Sequence, residues 1–403
     1  MSESVPAAGP VAVGDRIDYL DILRGFAVMA IFIVNIKAMV MPFAFYANSS
    51  LWATDLDQHI ATIQKFVVDD KWRTTFTALY GAGLLMIWQR LEARGEGRGV
   101  LFRRTFWLLI FGAIHLLGLW TGDILFSYGL AGFLAILFVR MGTTKLYIFG
   151  LIILLLGTVW MAFFAAGPVY NDELRAELEP LFWAPGPEEI ASEVASQQGS
   201  IMGQFEARIE GAIGYIGFFV IIGGGLMTTL GLMVLGMALF RSGLYRGVWP
   251  IALTFPLGLA ALAGAWVLDW IQIQELKASN YSFDVYSLNA WKASLDGYLG
   301  ALGYGCLISA IVSMGLKFGP VAAVGRMAFT NYITCTLIGT TLAVGHGGGL
   351  FGEVSLVFLM GVVVATFIGM LIWSPLWLRF FRFGPLEWLW RSLVYGRAQP
   401  LLR

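Results

Sequence analysis

Charge is scarce in this chain. Asp, Glu, Lys and Arg make up 13% of its 403 residues, where water-soluble domains run near 25%. That shortfall excludes an ordinary soluble domain. Cysteine is nearly absent: Cys306 and Cys335 both sit inside apolar runs, which excludes a disulfide framework and a CxxC metal pattern. Three histidines leave little room for a histidine-built centre, and no metal is expected. The sequence also lacks G-x-x-x-x-G-K-[ST], H-E-x-x-H, G-x-S-x-G and a dinucleotide fingerprint after a strand. Nothing in it points to nucleic acid. No polar stretch is long enough to build a soluble core of its own.

What is present is apolar sequence. Hydrophobic residues make up 58% of the chain, with a mean hydropathy of +0.75. Runs of about 18 or more apolar residues read as membrane spans. Threading them predicts an all-α polytopic bundle of about ten transmembrane helices over residues 18–380. The polar residues 1–17 read as a disordered tail, and the first apolar run as an uncleaved span. Residues 167–210 carry nine acidic residues and two arginines, which predicts an outward-facing acidic loop or helical hairpin. Gly223, Gly224 and Gly225 predict a break or kink in the following helix. Residues 381–403, with Trp388 and Trp390 beside Arg391, read as an amphipathic segment on the inner membrane face.

The few charges are sorted. Eighteen of the twenty-six Lys and Arg residues fall on one side of this threading, and nineteen of the twenty-six Asp and Glu on the other. Basic short loops mark the cytoplasmic side. The loop with Arg90, Arg94, Arg98, Arg103 and Arg104 lies there, as do both termini, with Arg16 and Arg24 in agreement. A bacterial inner membrane is the expected location. The lipid bilayer is the first partner, and a symmetric homodimer is the default oligomer.

An ionisable group inside a span costs roughly 2.5–3.5 kcal/mol and usually faces a cavity or the bundle interior. Toward the outer side the candidates are Asn35, Lys37, Lys71, Arg73, His115 and Asp123, with Tyr128 on the next span. A carboxylate beside a histidine is the usual setting of a general base, because it fixes the tautomer and stabilises the imidazolium. His115 and Asp123 are eight residues apart, roughly 12 Å along a helix axis, so the TGD turn has to fold Asp123 back for the two to meet. Lys37, Lys71 and Arg73 read either as snorkelling anchors or as the positive lining of an outward vestibule that suits an anionic group. Toward the inner side lie Asp21 and Arg24, spaced i,i+3 for pairing, then Arg326, Asn331 and Tyr332, and the i,i+4 pair Glu387 and Arg391. These read as structural pairs or as a cytoplasmic anion site for a phosphate-bearing cofactor. His346, in a Gly-rich turn, reads as a loop residue.

Five segments in order, RIDYLDILRGFAVMAIFIVNI, KWRTTFTALYGAG, HLLGLWTGDILFSYGLAG, VGRMAFTNY and FGPLEWLWRSLVYG, resemble the YeiB-like family of bacterial inner-membrane proteins. Asp21, Arg24, Gly25, Phe26, Ala27, Val34 and Asn35 form a pattern that is distantly similar to the opening of transmembrane acyltransferases such as heparan-α-glucosaminide N-acetyltransferase. That resemblance implies an acetyl-CoA or acyl-CoA donor on the cytoplasmic side and a lipid or glycan acceptor on the other. It also implies a catalytic asparagine at Asn35 and a histidine eleven residues later. The second position is Tyr46 here, so the carry-over stops at Asn35.

Three readings follow. The first is acyl transfer from a cytoplasmic thioester to an outward lipid or glycan. In it His115 is the base, Asp123 orients it, and Asn35 stabilises the oxyanion. Lys37, Lys71, Arg73 and Tyr128 lie on the acceptor side, and Asp21, Arg24, Arg326 and Asn331 hold the donor. The second is a small-molecule transporter, which predicts two discontinuous helices related by an internal repeat. The third is a non-catalytic lipid- or quinone-binding subunit.

Overall fold

The computed structural model describes residues 18–403. The tail over 1–17, with Arg16, lies outside the described residues. The first helix, α1 (Asp18–Val40), is followed by short α2 (Ala44–Ala47), α3 (Asp55–Val67), α4 (Lys71–Ala93), α5 (Gly99–Gly118), α6 (Leu125–Ala135) and α7 (Thr143–Ala165). Next come α8 (Asp172–Phe182), α9 (Pro187–Gln198), α10 (Ile201–Gly214), a π-helical segment Tyr215–Ile222, and α11 (Gly225–Ser242). The chain continues through α12 (Ile251–Ala278), α13 (Phe283–Leu288), α14 (Ala290–Ser313), α15 (Gly319–Arg326), α16 (Ala328–Ala343), α17 (Leu356–Phe380) and α18 (Pro385–Tyr395). No strand forms among the described residues beyond one antiparallel bridge between Phe381 and Leu402.

Among the described residues, seven helices are long and apolar enough to cross a membrane: α1, α5, α7, α11, α12, α14 and α17. The α15–α16 pair, bent by 82°, makes an eighth if counted as one span. The threading into ten also counted α4 and α6. α6 is only 11 residues long. α4 carries Thr74, Thr75, Thr77 and Trp88 inside the bundle, so protein rather than lipid surrounds much of it. Outward faces are apolar where lipid is expected: Leu151, Leu155, Val159 and Phe163 on α7 and Val364, Ile368 and Ile372 on α17 are all exposed. The molecule is an all-helical membrane protein.

Helix ends follow local chemistry. Thr54 caps α3 by accepting from Asp57 N, and Asn171, Ser200 and Ser355 cap α8, α10 and α17 in the same way. Pro320 and Pro385 open α15 and α18, where a missing N–H costs nothing. The predicted break at Gly223–Gly225 is present: Gly224 adopts φ +83° between the π segment and α11.

Central α1 is mostly buried. It crosses α15 backbone to backbone: a Cβ on Gly25 would strike Val321 O, and one on Gly325 would strike Asp21 O. Such close approach is how small residues let helices associate in lipid. The acidic stretch folds into α8 and α9. They are tied down at the end of the bundle opposite the arginine-rich loop. Asn48 Nδ2 donates to Trp183 O (3.0 Å), Arg175 pairs with Asp284 (2.9 Å), and Gly345 N donates to Gln197 O (3.2 Å).

Candidate functional site

A cavity of about 300 Å³ opens at the arginine-rich end of the bundle. That is the lower end of the range for small-molecule sites. Six arginines line it: Arg24 from α1, Arg90 from α4, Arg94 just past it, Arg104 from α5, Arg326 from α15 and Arg391 from α18. Further in, the wall becomes apolar with Phe76, Leu79, Met86, Ile87, Leu108, Leu125 and Phe329, and it also includes Tyr128 and Tyr332. Asp21 holds Arg24 at 3.1 Å, the pair that the i,i+3 spacing predicts. Arg104 stacks over Trp390 at 3.8 Å, and the Trp390 indole N–H donates to Arg104 O at 3.1 Å, which seats α18 against α5.

Glu387 is engaged differently from its expected i,i+4 contact with Arg391. Its carboxylate accepts from Phe329 N (2.7 Å), Thr330 N (3.0 Å) and the Thr330 hydroxyl (2.6 Å). It therefore caps the N-terminus of α16, where free N–H groups and the positive helix end favour an anion. At the same break Asn331 Nδ2 donates to Val324 O (3.1 Å) and Ser374 Oγ (3.1 Å).

His115 lies near the end of α5, beside Tyr332 of α16, with ring centroids 5.2 Å apart. The turn after α5 folds Asp123 back, as the His–Asp reading required. His115 Nδ1 sits 2.8 Å from Asp123 Oδ1, and Asp123 Oδ2 accepts from Phe126 N at 2.5 Å in the first turn of α6. The other ring nitrogen, Nε2, lies 3.0 Å from the Thr336 hydroxyl of α16. In the tautomer whose Nδ1 carries the proton, Nε2 accepts from the Thr336 hydroxyl. All three residues are buried. Trp120 stands edge-on to His115 on the other side, with centroids 6.4 Å apart.

The remaining sequence candidates divide. Arg24, Arg326 and Tyr128 line the cavity. Tyr128 is buried against α4, its hydroxyl 2.6 Å from Thr77 Oγ1 and 3.3 Å from Arg73 O. Asn35 does not line the cavity; it is half-buried and makes no side-chain hydrogen bond among the described residues. Lys37 neither snorkels nor lines it: its side chain is buried, Nζ donates to Tyr46 O at 3.3 Å, and it lies over the Tyr46 ring.

Lys71 needs a correction. It is fully buried, with Nζ 3.0 Å from Asp269 and 3.5 Å from Asp296. Lys65 reaches the same two carboxylates at 3.6 and 3.2 Å. Lys71 is thus neutralised in a four-charge cluster joining α3, α4, α12 and α14, and it lends no positive charge to a vestibule. Arg73 stays half-exposed but pairs with Asp70 at 2.7 Å. Asn331 also needs one: its amide nitrogen is spent across the α15–α16 bend, and it does not line the cavity.

Residues 239–397 match a family described as a protein of unknown function (DUF418). Over 410 residues the chain is 30% identical to the uncharacterized protein YeiB of Escherichia coli strain K12, covering 95% of this chain and 97% of that one. The chain belongs to the YeiB family. It is also 28% identical to the uncharacterized protein YxaH of Bacillus subtilis strain 168, over 98% of both chains. A 39.9 kDa protein from the amylase 3′ region of Bacillus acidopullulyticus is 28% identical, again over 98% of both. The DUF418 segment holds Arg326, Thr336 and Glu387 but not His115 or Asp123. The likeness to YeiB spans both halves of the site.

Thr336 was missed in this YeiB-family chain, since a threonine in an apolar helix carries no sequence signal of its own. Glu387, Arg90, Arg94 and Arg104 were visible as charges, but their convergence on one cavity was not.

Proposed function

We propose that this protein is a transmembrane acyltransferase-like enzyme. In this reading it sits in the bacterial inner membrane with both termini cytoplasmic, taking an acyl group from a cytoplasmic thioester to a hydroxyl or amine on an outward lipid or glycan. The observation that carries the reading is the cavity itself. It runs from six arginines to an apolar interior, and the His115–Asp123 pair lies directly behind its Tyr332 wall.

The chemistry fits the donor. Arginine forks suit phosphate oxygens, and acyl-CoA carries several phosphates on a slim arm that ends in an apolar chain. Arg24 and Arg326 hold that head. His115 Nε2 takes the proton of the attacking group and passes it to the leaving thiolate, so the exchange is balanced within the site. Asp123 fixes the tautomer. Asn35 has no part in this version, because it stands off the cavity. Tyr332, which is buried and lines the cavity, takes its place as donor to the developing oxyanion. One chain completes this site, so a dimer is not needed for it.

The bent α15–α16 pair is the feature a transporter would share. Binding of acetyl-CoA and palmitoyl-CoA to detergent-purified protein separates the readings. Saturable binding that weakens in Arg24→Ala and Arg326→Ala supports a thioester site. No binding of either by the parent overturns the acyltransferase reading in favour of transport.

A further inference from the structure

Threonines in these helices share a habit. The hydroxyls of Thr75, Thr77, Thr340 and Thr366 each donate to the carbonyl four residues back at 2.8 Å, and Thr334 does so at 2.9 Å. This back-bonding is the ordinary way a helix threonine satisfies itself away from water. Thr336 makes this bond only at long range and has a second, nearer partner. Its oxygen is 3.4 Å from Tyr332 O but 3.0 Å from His115 Nε2. The hydroxyl has one proton to give, and in the tautomer with its proton on Nδ1 the closer Nε2 is the better acceptor. On the far side of the ring, Asp123 stands 2.8 Å from Nδ1. A hydroxyl, an imidazole and a carboxylate are thus linked in series at hydrogen-bond distances, the arrangement that activates an alcohol as a nucleophile.

We propose that Thr336 is the nucleophile of this site and carries the acyl group as an ester between donor and acceptor. The inference rests on the acyl-transfer reading above. In the first half-reaction Thr336 Oγ adds to the thioester carbonyl while His115 Nε2 takes its proton. The C–S bond breaks, and the thiolate leaves as thiol with that proton. In the second half-reaction the acceptor O–H or N–H gives its proton to Nε2 and attacks the ester carbonyl. Thr336 Oγ leaves and recovers the proton. No electrons change hands.

Position supports the role. Thr336 lies one turn beyond Tyr332 on α16, roughly 6 Å along the axis, and Tyr332 is part of the cavity wall. Tyr332 also packs against His115, with ring centroids 5.2 Å apart, so its ring joins the cavity wall to the His115–Thr336 pair. A covalent carrier also solves a geometric problem. Donor and acceptor approach from opposite membrane faces, and a shared intermediate spares them from meeting.

The test uses full-length protein in detergent with acetyl-CoA. Intact-mass measurement after rapid acid quench reads the adduct, a thiol reagent reads CoA release, and Kd is measured in parallel. The expected result is one acetyl group on the parent, mapped to Thr336, with a burst of thiol. Thr336→Val abolishes the adduct and slows thiol release by about 10²-fold or more without changing Kd. Thr336→Ser keeps the hydroxyl and restores labelling, which guards against a folding defect in the valine variant. Tight binding and turnover with no adduct on the parent, or unchanged turnover in Thr336→Val, overturns Thr336 and leaves direct transfer standing. Absence of any acetyl-CoA binding overturns the acyl-transfer reading and this inference with it.

Discussion

His115 and Asp123 meet at 2.8 Å although α5 ends between them and both side chains are sealed from water. The carboxylate sets which ring nitrogen is free. Asp123→Asn keeps the shape but offers an N–H where an acceptor is needed, which drives the ring proton to Nε2 and blocks its use as a base. We expect turnover to fall about 10²-fold or more, with thioester Kd unchanged. Equal turnover of Asp123→Asn and parent contradicts the assignment.

The arginine mouth makes binding sensitive to salt. Charge-assisted hydrogen bonds contribute about 1.5–3 kcal/mol, so Arg24→Ala or Arg326→Ala should weaken acetyl-CoA binding by about tenfold to a hundredfold. Titration calorimetry at two ionic strengths checks this. The parent's Kd should rise with salt, and each variant's should rise less.

The cluster of Lys65, Lys71, Asp269 and Asp296 balances two cations against two anions. Lys71→Met leaves two buried carboxylates with one lysine. Breaking a buried pair costs about 3–5 kcal/mol, and the thermal midpoint in detergent should drop clearly. Removing a carboxylate as well, in Lys71→Met/Asp269→Leu, should recover most of the loss. A single variant that melts with the parent shows that the four groups do not act together.

Glu193 on α9 gives the acidic segment a dependence on pH. Burial pushes its carboxyl up to about 7 from an ordinary 4.5, against the pull of the Phe43 N–H beside it. The folded chain therefore keeps a proton that the unfolded chain releases. This contribution is fully present below about 4.5 and is lost as pH rises through 7. Glu193→Gln stays neutral throughout. Raising the pH from about 5 to about 8 should therefore lower the parent's melting midpoint relative to the variant's. A constant gap between the two curves rules the effect out.

Much of the bundle can be read from sequence because its signals are local. Apolar runs, sorted charges and the triple glycine are short-range features, and the structure has helices and a break where they fall. The His115–Asp123 contact was legible because the two residues lie eight apart across one turn. Lys71 read as a surface anchor because its partners, Asp269 and Asp296, lie on helices far along the chain. Thr336 is 221 residues from His115, and Glu387 is 57 from Thr330. Pairings over such separations depend on how helices cross, and periodicity along one helix does not encode them. α4 and α6 stand apart from the seven long apolar helices, because apolar content alone does not tell a lipid-facing helix from one buried in protein.

The Glu387 cap has a consequence for biosynthesis. The amides that open α16 belong to Phe329 and Thr330, but their acceptor comes from a segment translated almost sixty residues later. While the ribosome is still making α17, the helix that bears Thr336 has an unfinished end and the cavity lacks the α18 part of its wall. The site is assembled only once Pro385–Tyr395 has been made, so a chain truncated before Pro385 should insert its long helices and yet hold no working pocket.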